Sequence, residues 1–309
     1  MGTVHRLLEA GSKAGALAAD VDRRVVEAAA AYMGDEDGGV GFIYSGWAQA
    51  ALPHKRLAPD AVWQITSERV RLLVEPGRRA LDTGEPEWVG VPYGSRARLI
   101  LLFLQSEALR TNSREVELGR SLRAWLSRLG IPIGGKSFKD VREQAERISR
   151  CRLTFHVQAG DRAGLVNQNI VDTAMFMSAG DPVQGSLFVD TVRLSETFFE
   201  QLKRHPVPIE EAAIKALSNN SLALDVYCWL TYRLHVLQSP RPITWKALQS
   251  QFGNGYRGLH HFKPRFLENL HLACAVYPGA DVGVDERGLT LRPSRPPVAP
   301  RSAAPTGRD

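Results

Sequence analysis

The chain has 309 residues, 44% of them hydrophobic and 23% charged, with a formal charge of +6 and a pI near 9.4. This length exceeds one compact core, and the composition is that of a globular protein. The modest positive charge permits a polyanionic partner without requiring one.

Cysteine content and apolar runs exclude further classes. The widely spaced Cys151, Cys228 and Cys274 do not suit a disulfide framework or a zinc knuckle, and predict buried thiols in a reducing cytoplasm. The run Leu99–Leu104 is too short to span a membrane, and no signal-peptide pattern opens the sequence. We therefore expect a soluble cytoplasmic protein with no membrane partner.

Residues 1–60 are predicted to be a loosely structured extension, with an Ala-rich helix at Val21–Tyr32 and an acidic linker at Gly34–Gly41. Two stretches rich in β-forming residues follow, Ala61–Thr66 and Arg69–Val74, and predict a hairpin. Because unpaired strand edges invite pairing with another chain, we expect this hairpin to contribute to a homodimer.

A winged-helix unit is predicted within a first domain of residues 61–195. Apolar residues at three-and-four spacing indicate helices, alternating residues indicate strands, and a glycine-rich break at residues 130–135 indicates a helix-turn-helix. The predicted elements are a helix, a strand, two helices, a strand, a wing tip and two strands: Gly94–Arg110, Arg114–Leu118, Ser121–Gly130, Ser137–Arg150, Arg152–Val157, Gly160–Gly164, Val166–Met177 and Ser186–Leu194.

A second winged-helix domain is predicted at residues 196–292. Phe138-Lys139 recurs as Phe262-Lys263, an offset of 124 residues, which indicates an internal duplication. Its helices and strands are predicted at Glu196–Arg204, Leu222–Leu237, Pro242–Thr244, Trp245–Phe252, Phe262–Val276, Asp281–Val284 and Leu289–Leu291.

The predicted fold class is thus α+β, with two tandem winged-helix domains and an N-terminal extension. A tail rich in proline and arginine, residues 293–309, is predicted to be disordered.

The charge pattern favours DNA as the partner. Between Gly94 and Lys136 there are eight Lys or Arg residues against three Glu, and no acid occurs from Val226 to Leu267. In a winged helix the helix after the turn enters the major groove, and the wing follows the phosphates. The predicted DNA-binding residues are Lys136, Lys139, Arg142 and Arg162 in the first unit, and Lys246, Arg257, Lys263, Arg265 and Asn269 in the second.

Two of these predictions are more specific. Asn269 is of the residue type that pairs bidentately with adenine. The helix of the first unit also carries Asp140, Glu143 and Glu146, which would repel phosphates, so the second unit is predicted to supply most of the electrostatic binding.

Two motifs suggest enzymes instead. Residues 130–137 satisfy the phosphate-binding pattern G-x-x-x-x-G-K-[ST], but that mechanism needs a preceding strand, and the preceding residues have helical spacing. His260-His261 near Tyr256 suggests a metal-dependent nicking site, but adjacent histidines on a helix point about 100° apart. We expect no catalytic activity, no metal and no cofactor.

Several residue patterns resemble the plasmid-encoded replication initiator RepA family. They are Val91-Pro92-Tyr93-Gly94 before an apolar helix, the stretch Arg110–Gly119, Gly134-Gly135, and the helices at Ser121–Gly130 and Arg142–Cys151. The resemblance covers about residues 85–275 and implies an initiator that binds double-stranded DNA at origin repeats and recruits the host initiator and replicative helicase. It also implies dimerisation and repression of the protein's own promoter. The alternatives are a winged-helix transcription regulator, and an initiator that hydrolyses ATP or nicks DNA.

Overall fold

The computed structural model describes residues 3–11, 13–19, 21–36, 38–67, 70–82, 84–131, 134–159, 162–176 and 189–299. Every strand pairing within these residues is antiparallel. The protein is a mixed fold of helices and strands, and this part of the chain has no parallel strand–helix unit of the kind found in nucleotide-binding sheets.

The elements follow one another in three groups. The N-terminal group is α1 (Thr3–Ala10), α2 (Lys13–Leu17), α3 (Arg23–Met33), β1 (Val40–Tyr44), α4 (Ser45–Gln49), β2 (Trp63–Thr66), β3 (Val70–Glu75), β4 (Arg78–Arg79) and β5 (Glu87–Trp88). The middle group is α5 (Gly94–Thr111), β6 (Glu115–Glu117), α6 (Gly119–Arg128), α7 (Gly135–Arg150), β7 (Arg152–Ala159), β8 (Arg162–Asn169), β9 (Val171–Phe176) and β10 (Val189–Leu194). The C-terminal group is α8 (Glu196–Arg204), β11 (Pro206–Glu210), α9 (Glu211–Leu217), α10 (Ser221–Leu234), β12 (Arg241–Thr244), α11 (Trp245–Phe252), α12 (Leu259–Ala275), β13 (Val282–Val284) and β14 (Gly288–Leu291).

The N-terminal extension is folded, so the prediction of a loosely structured segment at residues 1–60 is wrong. The predicted Ala-rich helix exists as α3, and its small residues Val26 and Ala29 are fully buried where α3 packs against α12 and α9. β1 pairs with β11, some 166 residues later in the chain, from Val40↔Glu210 to Tyr44↔Pro206. These partners are distant in sequence, which is why local composition suggested a linker.

The middle strands divide between two sheets. β6 pairs with β10, and β10 with β9, so one sheet has the order β6-β10-β9. β7 and β8 form a hairpin that belongs to a four-stranded sheet of order β2-β3-β7-β8. The hairpin predicted from β2 and β3 is therefore present, and β3 uses its second edge to pair with β7.

The predicted strand Val166–Met177 is wrong as a single element, because its residues belong to β8 and β9 in different sheets. The chain changes sheet at the fully buried Ile170. There the Ser195 N–H donates to the Ile170 carbonyl at 2.9 Å, and the Ser195 hydroxyl donates to the Asn169 carbonyl at 2.6 Å. The predicted wing tip Gly160–Gly164 thus joins β7 to β8, not the strands that share a sheet with β6.

The C-terminal elements repeat the order of the middle ones. The middle group has, after α5, the order β6, α6, α7, β9 and β10, with the β7–β8 hairpin inserted between α7 and β9. The C-terminal group has, after α10, the corresponding order β12, α11, α12, β13 and β14. The sheet order β12-β14-β13 matches β6-β10-β9, since the first strand pairs with the last in both. α7 and α12 begin at residues 135 and 259, which reproduces the offset of 124 residues.

The outer edge of β2 is covered, which removes the basis for expecting self-association at this hairpin. The side-chain amide of Asn254 donates to the Gln64 carbonyl at 2.9 Å, and the Ser250 hydroxyl donates to the Thr66 carbonyl at 2.9 Å. Both donors come from the C-terminal group, so the edge is occupied within the same chain.

The first residues of the predicted disordered tail are bound to the fold. The Tyr277 hydroxyl donates to the Arg295 carbonyl at 2.6 Å, and the Ser294 N–H donates to the Leu234 carbonyl at 3.2 Å. The prediction of disorder is therefore wrong for residues 293–295, because backbone groups with specific partners hold them; residues 300–309 lie outside the described residues.

Cys151, Cys228 and Cys274 are free and buried, as predicted. Burial raises the pKa of all three thiols, so each is protonated at neutral pH. Among the described helices, none is long and apolar enough to cross a membrane.

Candidate nucleic-acid interface

The start of α7 presents three cations to solvent. Lys136, Lys139 and Arg142 recur every third residue, so they lie along one side of the helix, and all three are exposed. None of them forms an ion pair within the described part of the chain. No carboxylate of the described residues therefore lies within ion-pair distance of their charged groups, although Asp140 occupies the same part of the helix.

The chain reaches α7 through a corner that glycine permits. Gly130 and Gly135 have φ angles of +70° and +50°, a region that other residues adopt at a cost. Gly130 directly follows the last turn of α6, and Gly135 begins α7. The glycines that satisfy the phosphate-binding pattern thus terminate one helix and start the next.

Two of the acids on α7 are neutralised by arginines. Glu143 lies 2.8 Å from the Arg147 guanidinium and 3.8 Å from that of Arg56. Glu146 meets Arg79 at 3.2 Å and Arg150 at 3.3 Å. The prediction that acids on α7 repel phosphates therefore has less support for Glu143 and Glu146, because arginines offset their charge. The remaining acid, Asp140, is half-buried.

The segment before α5 supports this arrangement. Arg147 is buried and donates to the Val91 carbonyl at 3.0 Å, while the Tyr93 N–H donates to the Gln144 side chain at 2.8 Å. Gly90 has a φ of +85°, and a Cβ there would lie 2.2 Å from the Arg147 guanidinium. The Val91–Gly94 motif thus packs directly against α7 and orients the arginine that pairs with Glu143.

In the C-terminal group, Lys246 and Arg257 are exposed where α11 begins and just before α12. The hydroxyl of Thr244 caps α11 by accepting the Ala247 N–H at 3.2 Å. Neither cation has an ion-pair partner among the described residues. Both side chains are therefore exposed cations, as the sequence predicted.

The predicted residues within α12 are more constrained. Lys263 is half-buried, with its Nζ 5.2 Å from the centre of the Trp245 ring. Arg265 lies 3.2 Å from Glu268, which is the first acid beyond the acid-free window and also lies 3.6 Å from Arg24. The charge of Arg265 is therefore opposed, contrary to the expectation of an unopposed basic helix.

The side chain of Asn269 is turned into its own helix. Its amide nitrogen donates to the Arg265 carbonyl at 2.6 Å, and its Oδ1 atom is buried without a hydrogen-bond partner. Bidentate pairing with adenine needs both atoms at the surface. In this conformation Asn269 is not placed to read a base.

Arg162 begins β8, and its side chain lies outside the described residues. The turn between β13 and β14 contains an arginine that the sequence analysis missed. Asp285 accepts the backbone N–H groups of Arg287 and Gly288 at 2.8 and 2.9 Å, and the Trp245 indole donates to the Asp285 carbonyl at 3.2 Å. Arg287 is exposed at this tip. The flanking acids Asp285 and Glu286 obscured its signal.

The described residues do not give either enzyme motif the surroundings that its chemistry needs. The residues before Gly130 form α6, as the sequence predicted, whereas a phosphate-binding loop follows a strand. The rings of His260 and His261 lie side by side with centres 3.9 Å apart, so the expectation that they diverge is wrong. Among the described residues, however, no group of three or more His, Cys, Asp or Glu side chains converges on a metal position.

Comparison with known proteins gives one family and one fold. The family model described as plasmid encoded RepA protein matches residues 91–247, just over half of the chain. No protein among those with curated descriptions matches the sequence.

The crystal structure of selenomethionine derivatives of domain 2 and domain 3 of RctB resembles the chain with a TM-score of 0.51 and 13% identity, over 81% of this chain and 99% of that one. A second crystal structure of RctB domains 2–3 aligns with a TM-score of 0.41 and 13% identity, over 72% of this chain and 80% of that one. The first of these similarities indicates a shared fold.

Proposed function

We propose that this chain, which belongs to the family of plasmid-encoded RepA proteins, is a replication initiator that binds repeated double-stranded DNA sites at a plasmid origin. The observation that carries the proposal is the exposed side of α7. There Lys136, Lys139 and Arg142 have no ion-pair partner among the described residues, while Glu143 and Glu146 are held by arginines. A helix that follows a tight corner and presents such a row of cations suits a DNA groove.

Two winged-helix units supply two readers in this proposal. α6 with α7 forms the helix-turn-helix of the first, and α11 with α12 that of the second. The repeated element order and the matching sheet orders β6-β10-β9 and β12-β14-β13 support this assignment. The turn at Asp285–Gly288 is then the wing of the second unit.

The contacts of each reader follow from side-chain type and exposure. Lys136, Lys139 and Arg142 meet phosphates or base edges through α7, and Lys246 and Arg257 meet phosphates at the second unit. Lys263 and Arg265 take a smaller part, because an aromatic ring and a carboxylate already contact them. Arg162, on the β7–β8 hairpin, is proposed to contact the phosphates beside α7. The protein contributes no catalytic step of its own.

The further partners follow from the family. We place the host initiator and the replicative helicase among them, with repression of the protein's own promoter as a second use of the same readers in the cytoplasm. These roles need the protein to remain on the DNA while surfaces away from the readers stay accessible.

We also propose a homodimer in free solution, with monomers on the origin repeats. The outer edge of β2 is occupied, whereas β8 is the other end strand of the same sheet, so the partner copy adds along β8. Sedimentation is expected to show a concentration-dependent dimer that dissociates on addition of repeat DNA. A strict monomer at all concentrations contradicts this proposal.

Titration of duplex DNA tests the function. The duplexes carry either the repeats that flank the gene or a scrambled sequence of the same composition, at several salt concentrations. We expect tighter binding to the repeats, and an affinity that falls steeply as salt rises. Equal affinity for both duplexes contradicts the initiator role. Specific binding confined to the promoter of the gene indicates a transcription regulator instead.

A further inference from the structure

We infer that Ser250 and Asn254 are positioning residues that fix the geometry between the two DNA readers, and so the site spacing that the protein accepts. The inference rests on the proposed function, because spacing has meaning only if both units bind DNA. It concerns the two hydrogen bonds that join the helix-turn-helix of the second unit to β2. We call this pair of hydrogen bonds the clasp.

The clasp joins side chains to a regular strand edge. Ser250 lies on α11, and Asn254 lies in the turn between α11 and α12. They donate to the carbonyls of Thr66 and Gln64, two residues apart, which therefore point to the same side of β2. The opposite edge of β2 pairs with β3 through Trp63↔Val74 to Thr66↔Arg71.

From β2 the connection continues to the other reader. β3 pairs with β7 from Val70↔Val157 to Glu75↔Arg152, and only Cys151 separates the start of β7 from the end of α7. A continuous hydrogen-bonded path thus runs from the turn before α12, across three strands, to the C-terminal end of α7. Neighbouring strands are about 4.8 Å apart, so this path crosses roughly 10 Å of sheet.

The turn at the clasp is held within its own unit by the Tyr256 N–H, which donates to the Gly253 carbonyl at 3.0 Å, and by the Gln249 side chain, which donates to the Tyr256 carbonyl at 3.4 Å. Gly255 has a φ of +101°, and a Cβ there would meet nothing within 4 Å. Both clasp side chains are exposed. The bonds within the turn do not reach the first unit, so the bond from Asn254 to Gln64 helps to set where the turn lies relative to that unit.

The junction has a second, deeper connection that the clasp supplements. Arg98 on α5 forms a bidentate ion pair with Asp225 on α10, with both N–O distances 2.6 Å. This pair joins the first helices of the two units within one continuous hydrophobic core. The clasp adds a contact between the units at the side where the readers lie.

The expected effect is on spacing, not on the affinity of either reader. The variant Ser250→Ala/Asn254→Ala loses two exposed hydrogen bonds, each of which contributes about a factor of 2 to 12. Insertion of base pairs between the two contacted segments lowers the affinity of the wild type, and we expect this loss of affinity to be about tenfold smaller in the variant. Affinity for the natural spacing is expected to change by less than about threefold.

The experiment titrates the full chain against origin-repeat duplexes with zero, one and two base pairs inserted between the protected segments. The matched control is Ser121→Ala/Gln49→Ala, which also removes one hydroxyl and one amide. Their bonds, to the Glu117 carboxylate and to the Ser45 carbonyl, each join residues four positions apart and do not touch the clasp. Wild type and control are expected to discriminate against the inserts, and the clasp variant to tolerate them. An unchanged penalty in the clasp variant overturns the inference.

A measurement without DNA separates this inference from the proposed function. Spin labels at Lys139→Cys and Arg257→Cys report the distance between the readers, since the three native cysteines are buried. A narrow distance distribution is expected for the wild-type background and for the control, and a broader one for the clasp variant. Identical distributions contradict the inference even if DNA binding holds. A broadened distribution in the clasp variant, found together with an unlabelled wild-type chain that binds no DNA, refutes the proposed function alone.

Discussion

Simultaneous replacement of Lys136, Lys139 and Arg142 by alanine is expected to weaken binding to origin DNA by about 100- to 1000-fold near 0.1 M salt. Each cation that meets a phosphate releases condensed counterions, which lowers log K by about 0.9 per tenfold rise in salt. Loss of three contacts therefore reduces the slope of log K against log salt by about three. Titration at several salt concentrations measures both quantities.

The control for this variant removes the same charge from another surface. Lys13, Lys203 and Arg204 are exposed on α2 and α8, which belong to neither helix-turn-helix, so their triple alanine variant should retain nearly full affinity. An equal loss in both variants would mean that net charge, not α7, determines binding.

The single variant Lys136→Ala tests the alternative of nucleotide hydrolysis. DNA-stimulated ATP turnover that is abolished by this substitution would reassign the lysine to catalysis.

Asp225→Ala is expected to lower the free energy of unfolding by about 3 kcal/mol, because it leaves the Arg98 guanidinium buried without its counter-ion. The two side chains are only 10% and 11% exposed. Arg98 keeps hydrogen bonds to the Leu52 and Gly94 carbonyls, at 2.7 and 2.8 Å, which places the cost at the lower end of the usual range. Burial, together with the Arg98 charge, lowers the pKa of the adjacent His54 to about 4, so at pH 7 this ring adds no second positive charge.

Urea unfolding of two further variants tests this account of the junction. Glu200→Ala breaks the exposed pair with Lys203 and should cost less than about 1 kcal/mol. The double variant Arg98→Met/Asp225→Leu removes both charges and should recover much of the stability lost in Asp225→Ala. A cost for Asp225→Ala no greater than that for Glu200→Ala would show that the ion pair does not stabilise the junction.

Local signals in the sequence predicted the helices of the two readers well. α11 has the predicted limits, Trp245–Phe252, and α7 begins two residues before its predicted start at Ser137. Apolar spacing, glycine breaks and capping residues act within a few residues, so they are visible without knowledge of the fold. The offset of the repeat was also visible in the sequence, because Phe-Lys occurs in the first turns of both α7 and α12.

Partners distant in the chain were not predictable in this way. Glu146 is neutralised by Arg79, 67 residues away, and Glu143 meets Arg56, 87 residues away. Nothing in the composition around α7 indicates these pairs, so the sequence alone could not show that two of the acids on this helix are paired with arginines. Arg265 is a different case, since Glu268 lies just outside the acid-free window and at a spacing that pairs on a helix.

Hydroxyl-radical footprinting on an origin-repeat duplex tests the central claim, that two units read DNA, most directly. For the wild type we expect two protected segments about one helical turn apart, as for two linked readers. The α7 triple variant should lose one segment, and Lys246→Ala/Arg257→Ala should lose the other. A single protected segment in the wild type, or loss of the same segment in both variants, would contradict the claim.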